Sequence, residues 1–429
     1  NDIWLEGMSD RNYFSAKLYH FESLLRSDDS ADALAHPVID HNYVFRDPLL
    51  GGELSWRSHA LSLSRSDIRI GQGANLISQD MNRAITEVKW RRRFTDAVGI
   101  TYTPFGELRG DVYQINYEDP NAPGLAGLDD TFLRGLATGG ATVSYPWVAN
   151  VGSTSHVIEP IGQIIAHNAS AKQDGLPNED AKSLVFDDTN LFDTNKFSGY
   201  DRFETGTRAN VGVQYTFQGP VGYARILAGQ SFHLSGENAY DEDTAAFGTR
   251  SGLETKSSDY VLGVYLAPTD IFRVIAQSRF DEDDLTLRRQ ELAATFSYGP
   301  LALGTSYTNT NTNLLDETVG LTNAFLTEQD ISAYGTLRLT DRWSLSGSMR
   351  YDLEGGKRLY DSITLAYLDE CFMLSATYSQ TFFEDPDRDI RPDQVVMLRF
   401  ELKHLGGFNY QTNVVDFMGG EDATTLGAY

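Results

Sequence analysis

The chain has 429 residues and is strongly acidic, with 35 Lys and Arg against 60 Asp and Glu for a net charge of −25. Nucleic acid is thereby a poor partner, because binding it requires cations set against phosphates. A hydrophobic share of 41% is too high for disorder, yet no run of about 18 apolar residues occurs, so no membrane-spanning helix is encoded.

The chain opens "NDIWLEGMSDRNYF", with neither an initiator Met nor a basic-then-apolar leader, and is expected to come from something longer. In "SHVIEPIGQIIAH", residues 155–167, Pro160 lies inside a strand-like run. Having no N–H to give, it is expected to weaken one pairing or to mark an edge or a bulge, foremost a bulge at the start of that strand. Residues 167–201 are the least strand-like of the chain and are expected to form a long extracellular or lumenal loop.

From there the alternation is clear. "TRANVGVQYTF" sets Ala209, Val211, Val213, Tyr215 and Phe217 against Arg208, Asn210, Gly212, Gln214 and Thr216. "DISAYGTLRLT" sets Ile331, Ala333 and Leu337 against Ser332, Thr336 and Arg338. In "WSLSGSMRYD", Trp343, Leu345, Met349 and Tyr351 oppose Ser344, Ser346, Ser348 and Arg350. "QVVMLRFELKH" sets Val396, Leu398, Phe400 and Leu402 against Met397, Arg399, Glu401 and Lys403. Antiparallel strands are expected over 202–217, 260–267, 331–339, 343–352 and 393–404, each with one apolar and one wet face. Residues 409–429 are assigned to a C-terminal tail.

About 18 such segments of roughly 10 residues follow one another without a linker. Tight turns at 267–270, 298–300 and 340–342 alternate with long polar loops at 235–258 and 308–329. The expected fold is all-β, an antiparallel transmembrane β-barrel over 1–408, with short turns in the periplasm and long loops outside the cell. The alternative is a soluble β-helix or a series of sandwiches. In the barrel, the apolar faces meet lipid. Arg208, Asn210, Gln214, Arg338, Ser344, Ser346, Ser348, Arg350, Arg399 and Glu401 then face the lumen.

No catalytic or cofactor-binding constellation is visible. The eight His residues show no metal-ligand spacing, and His156, His167 and His233 read as surface or lumen residues. The acidic run at 281–284 lacks the Gly and spaced ligands of a calcium loop, so a solvated turn is expected and no metal. Barrel proteases and phospholipases carry rim nucleophiles with a base, and no such pair stands out here. The single cysteine, Cys371, is either a small buried hydrophobe or half of a bond.

Several blocks resemble the lipopolysaccharide-assembly family LptD. They are "HVIEPIGQIIA" (156–166), "LVFDDTNLFDTNKFSGYDRFETGTRANVGVQYTF" (184–217), "ARILAGQSFHL" (224–234), "LTDRWSLSGSMRYDLEGGKRLYDSITLAYLDECFMLSATYSQTF" (339–382) and "VVMLRFELKHLGGF" (395–408). The likeness is clear over about 155–410 and weaker before it. It implies part of a barrel of about 26 strands in the bacterial outer membrane, its first strands missing from this chain. It also implies an LptE-like lipoprotein plug, and an LptA-like periplasmic bridge reached through an N-terminal domain. By the same resemblance, lipopolysaccharide sugars cross the lumen, acyl chains leave through a lateral gate into outer-membrane lipid, and the chain is no enzyme. Cys371, in "DECF", stands where the family carries a cysteine bonded to its N-terminal domain. A passive porin or substrate-specific channel is the competing function.

Overall fold

The computed structural model describes residues 2–21, 33–65, 80–116, 131–168, 176–181, 184–241, 251–313, 325–384, 391–403 and 406–413. They form one sheet of 22 strands. The first ten are β1 (Asp2–Ser9), β2 (Asn12–His20), β3 (Ala33–Val44), β4 (Glu53–Arg65), β5 (Asp80–Arg91), β6 (Phe94–Thr95), β7 (Thr101–Asn116), β8 (Thr131–Ser144), β9 (Trp147–Val151) and β10 (Thr154–His167). Next come β11 (Thr207–Gly219), β12 (Gly222–Ser235), β13 (Tyr260–Thr269), β14 (Phe272–Phe280), β15 (Leu287–Tyr298) and β16 (Leu301–Asn313). The last six are β17 (Phe325–Arg338), β18 (Trp343–Asp352), β19 (Lys357–Leu368), β20 (Phe372–Thr381), β21 (Asp393–Leu402) and β22 (Gly406–Asn413).

Every pairing is antiparallel, from Asp2↔Tyr19 to Leu402↔Gly406, and all but β5–β7 and β8–β10 join chain neighbours. The short β6 prolongs β5 along β7, and β9 prolongs β8 along β10. The 22 strands less these two make 20 staves, more than the ~18 expected from alternation. Among the described residues no pairing joins β22 to β1.

The burial is inverted relative to a soluble protein. On β7 and β8, Leu108 is 66% and Leu133 70% exposed, whereas Arg109 and Arg134 are only 5% and 4% exposed. Val112 on β7, Ile164 on β10, and Val211 and Val213 on β11 are likewise exposed. A sheet with a bare apolar exterior and a packed charged interior is an outer-membrane barrel, not a sandwich, whose apolar faces would meet each other.

Short links at residues 220–221, 270–271, 299–300 and 369–371 fall at one end of the antiparallel ladder, and 168–206 and 236–259 at the other. Some boundaries differ from expectation. β11 starts at Thr207 rather than 202, and 202–206 is buried without being paired in a strand. The 308–329 loop is shorter than expected, since Thr308–Asn313 pair with Phe325–Asp330. β22 runs to Asn413, inside the span assigned to a tail; residues 414–429 lie outside the described ones.

Pro160 sits in mid-strand, opposite Val213 with no register shift, so there is no bulge on that side. Its other neighbour changes there from β9 to β8. The missing N–H therefore falls where the ladder is already interrupted, and the Pro160 carbonyl accepts from the Tyr145 N–H at 3.1 Å.

Candidate functional site

The described residues of the 176–206 segment form no strand and pack on the polar face of the barrel. Asn, Asp and Gly fold it locally, because short polar side chains bond the backbone in place of a ladder. Asn178 Oδ1 accepts from the Ala181 N–H at 3.0 Å. Asp180 Oδ1 accepts from the N–H groups of Tyr200 and Asp201 at 2.9 and 3.0 Å. Asp187 Oδ1 accepts from the Thr189 N–H at 2.7 Å. Gly199 has φ +67°, and a Cβ there would lie 2.4 Å from Asp180 Oδ1, so glycine is required on both counts.

Wall cations grip the segment. Arg83 Nη1 lies 2.6 Å from Asp201 Oδ1, and its Nη2 2.8 Å from Asp180 Oδ2. Arg65 donates to both Glu179 oxygens at 2.9 and 2.6 Å, a bidentate geometry. Asp111 receives Arg109 Nε at 2.7 Å and Arg134 Nε at 2.8 Å. Arg134 also donates to the backbone carbonyls of Tyr200 and Asp201 at 2.8 and 2.9 Å. The Tyr200 ring stacks on His59 at 4.3 Å, with the guanidinium of Arg83 5.2 Å from its centroid. Burial pushes the Asp201 carboxyl up, but Arg83 and the Glu179 N–H outweigh it and hold the group below the usual carboxylate range.

A second cluster surrounds Glu204, which has Arg208 Nε at 2.6 Å and Lys196 Nζ at 3.8 Å, and accepts from the Tyr240 hydroxyl at 3.1 Å. Burial lowers the Lys196 ammonium below its ordinary value and raises the Tyr240 phenol well above its own. Phe186, Leu191 and Phe197 complete an apolar core with Ala239, Tyr240, Leu253 and Val261. The described residues of the link between β12 and β13 are thus folded against the same segment.

The structure brings some of the expected lumen residues to this site and leaves others apart. Arg208 is there. Asn210 donates to Gln163 Oε1 at 2.7 Å and accepts from Ser231 Oγ at 2.6 Å. Gln214 lies farther along β11, opposite Leu227. The rest sit on distant staves. Ser346 bonds Thr336 at 3.0 Å, Ser348 bonds Ser362 at 2.8 Å, and Arg350 Nε donates to Asp330 at 3.2 Å. Arg338 faces Ser344 across β17 and β18, and Arg399 donates to Glu401 at 2.8 Å. Among the histidines, His167 bonds the Thr194 carbonyl at 2.7 Å and His156 the Tyr215 hydroxyl at 2.9 Å. His233 Nε2 bonds the Gly236 carbonyl at 3.1 Å.

Sequence reading missed Arg83, Arg109, Asp111, Tyr113 and Arg134. The signal was present in "ELRGDVY", where Glu107, Arg109, Asp111 and Tyr113 share one face. It also missed the gathering of Asp259 with Asp281 and Glu282, whose oxygens lie within 4.8 Å of one another. Protein cations already serve that cluster, with Arg279 Nε 3.1 Å from Asp259 and Arg288 Nε 3.0 Å from Asp281. Cys371 is a free, exposed thiol in the link between β19 and β20, at the short-turn end.

Known proteins resemble this chain in sequence and in fold. LPS-assembly protein LptD of Acinetobacter baumannii (strain ATCC 19606) is 24% identical over 246 residues, covering 55% of this chain. The LptD of Aeromonas salmonicida (strain A449) is 24% identical over 267 residues, covering 59%. The chain spans 28% and 31% of those two relatives. Among solved structures, the siderophore receptor PirA from Acinetobacter baumannii superimposes with a TM-score of 0.44 at 8% identity, covering 96% of this chain and 72% of that one. The family model described as LptD, LPS transport system D, matches residues 1–323 and so takes in the N-terminal third, where the motif likeness is weaker. With more than half its length matched by that model, the chain belongs to the LptD family.

Proposed function

We propose that this outer-membrane barrel is the wall of a lipopolysaccharide export channel. In this reading the sugars pass along the charged inner face and the acyl chains leave sideways into the outer leaflet through a lateral gate. Membership of the LptD family carries the reading. The wet interior supports it, because hydrated sugar needs hydrogen-bonding partners along its route. The long loops would face outward and the short turns the periplasm. An LptE-like lipoprotein would fill lumen beyond the inserted segment, an LptA-like bridge would deliver lipopolysaccharide through an N-terminal domain, and Cys371 would bond that domain. The channel needs no catalytic group of its own. The test is depletion of the protein in cells: lipopolysaccharide should fail to reach the surface and return with the wild-type copy, and unchanged surface lipopolysaccharide on depletion would refute the reading.

One observation favours a second reading, a passive channel. The described residues of the 176–206 segment pack into the interior, as a constriction loop of a porin would. Stable conductance of the purified protein in planar bilayers, without any partner, would support the porin and count against the exporter.

A further inference from the structure

Beneath the Asp187–Thr189 turn, the inner faces of β12, β13 and β14 leave a cavity of about 540 Å³, within the range of small-ligand sites. Its walls are set by register: Arg225 lies opposite Tyr265, and Gly263 opposite Gln277. The rings of Tyr223 and Tyr265 meet edge to face, 5.7 Å apart at 67°. Asp188 closes the top, with Oδ1 accepting from Gln277 Nε2 at 3.0 Å and Oδ2 3.9 Å from Arg225 Nη2. A Cβ on Gly263 would fall 2.0 Å from that carboxylate, so the glycine makes the space for Asp188.

The chemistry of this lining is selective. An aromatic pair offers apolar faces, while a carboxylate, an amide and a guanidinium offer paired acceptors and donors. A pyranose presents the matching surface, with C–H faces on the ring and hydroxyls around its rim. A phosphate does not match, because Asp188 largely cancels the one cation. We propose that the cavity is a binding subsite for an uncharged sugar ring, a proposal that rests on the export reading for the identity of the sugar. β12 begins at Gly222 and β13 ends at Thr269, so Tyr223 and Tyr265 lie on the short-turn side of the inserted segment. A saccharide coming from that end meets the subsite before it meets the segment, and Asp188 couples the two.

The experiment uses full-length protein in detergent micelles, titrated with the lipid-free oligosaccharide released by mild acid from the host's lipopolysaccharide and followed by saturation-transfer NMR. Saturable binding is expected, unaffected by excess inorganic phosphate. Tyr265→Leu and Gln277→Ala should each weaken it about tenfold, and Tyr334→Leu on β17 should leave it unchanged. Heat-shifted migration on gels confirms that each variant is folded. Absent binding by wild type, equal binding by the folded pocket variants, or displacement by phosphate would overturn the subsite. Surface lipopolysaccharide after depletion is read separately. Failed binding with surface lipopolysaccharide lost on depletion removes the subsite alone, whereas saturable binding with surface lipopolysaccharide unchanged on depletion removes the export reading and leaves a sugar-binding barrel.

Discussion

At Asp201 a single buried carboxylate receives Arg83 at 2.6 Å, the Glu179 N–H at 2.6 Å and the Tyr113 hydroxyl at 3.2 Å. Removing one member of a buried pair leaves the other charge without compensation, a loss of about 3–5 kcal/mol. Arg83 keeps Asp180 Oδ2 at 2.8 Å as a second partner, so Asp201→Ala should be destabilising in urea unfolding from liposomes by less than that full loss. A second prediction concerns Asp259. Burial pushes its carboxyl from 3.8 up to about 7, against the opposing pull of Arg279. The folded state then holds a proton that the unfolded chain has already lost, so stability falls as pH rises between about 4 and about 7. The melting temperature of wild type should drop across that window, and Asp259→Asn should flatten the profile. Neither group could be singled out in the sequence, where Asp201 is one acid of many and Asp259 looks like loop polarity. Their meaning comes from Arg83 and Arg279, which the fold brings to them.

The strands were legible because their signal is local: with side chains alternating at period two, a string such as Trp343 to Asp352 defines its own faces. The polar ends of β16 and β17 were not. Asn309–Asn313 are Asn and Thr throughout and read as loop, yet the backbone ladder continues through them because its bonds do not depend on side-chain polarity. The inserted segment was legible as an anomaly and illegible as an object. "FDDTNLFDTNKFSGYDRF" shows no period, and its place is set by wall arginines from β4, β5, β7 and β8 that lie far away in sequence. The faces themselves can be tested on β18. Leu345 belongs to the apolar set, and Ser346 shares a hydrogen bond with Thr336. Leu345→Arg should destabilise the barrel by about 2–4 kcal/mol, measured by folding into liposomes, and Ser346→Arg should cost much less. Equal losses would mean that the two faces are wrongly assigned.

For the whole molecule, the alternation of connections orients the barrel. Every long connection among the described staves falls at one end, and the link carrying Cys371 at the other. Outer-membrane barrels keep their short turns in the periplasm, so Cys371 should be shielded from the medium in intact cells. Its thiol is exposed, and the neighbouring Asp369 carboxylate accepts the N–H groups of Cys371 and Phe372 at 2.8 and 2.9 Å, which fixes the turn. A membrane-impermeant maleimide should therefore miss Cys371 in intact cells and reach it after the outer membrane is permeabilised. A cysteine placed by Glu237→Cys in the opposite-end link should react in both, in a Cys371→Ser background. The family likeness adds a finer expectation. If Cys371 is bonded to an upstream domain, labelling of the full-length protein after permeabilisation should also require a reductant. In the present chain, which has no second cysteine, it should require none. Labelling of Cys371 in intact cells would invert the topology, and with it the direction of entry in the proposed export reading.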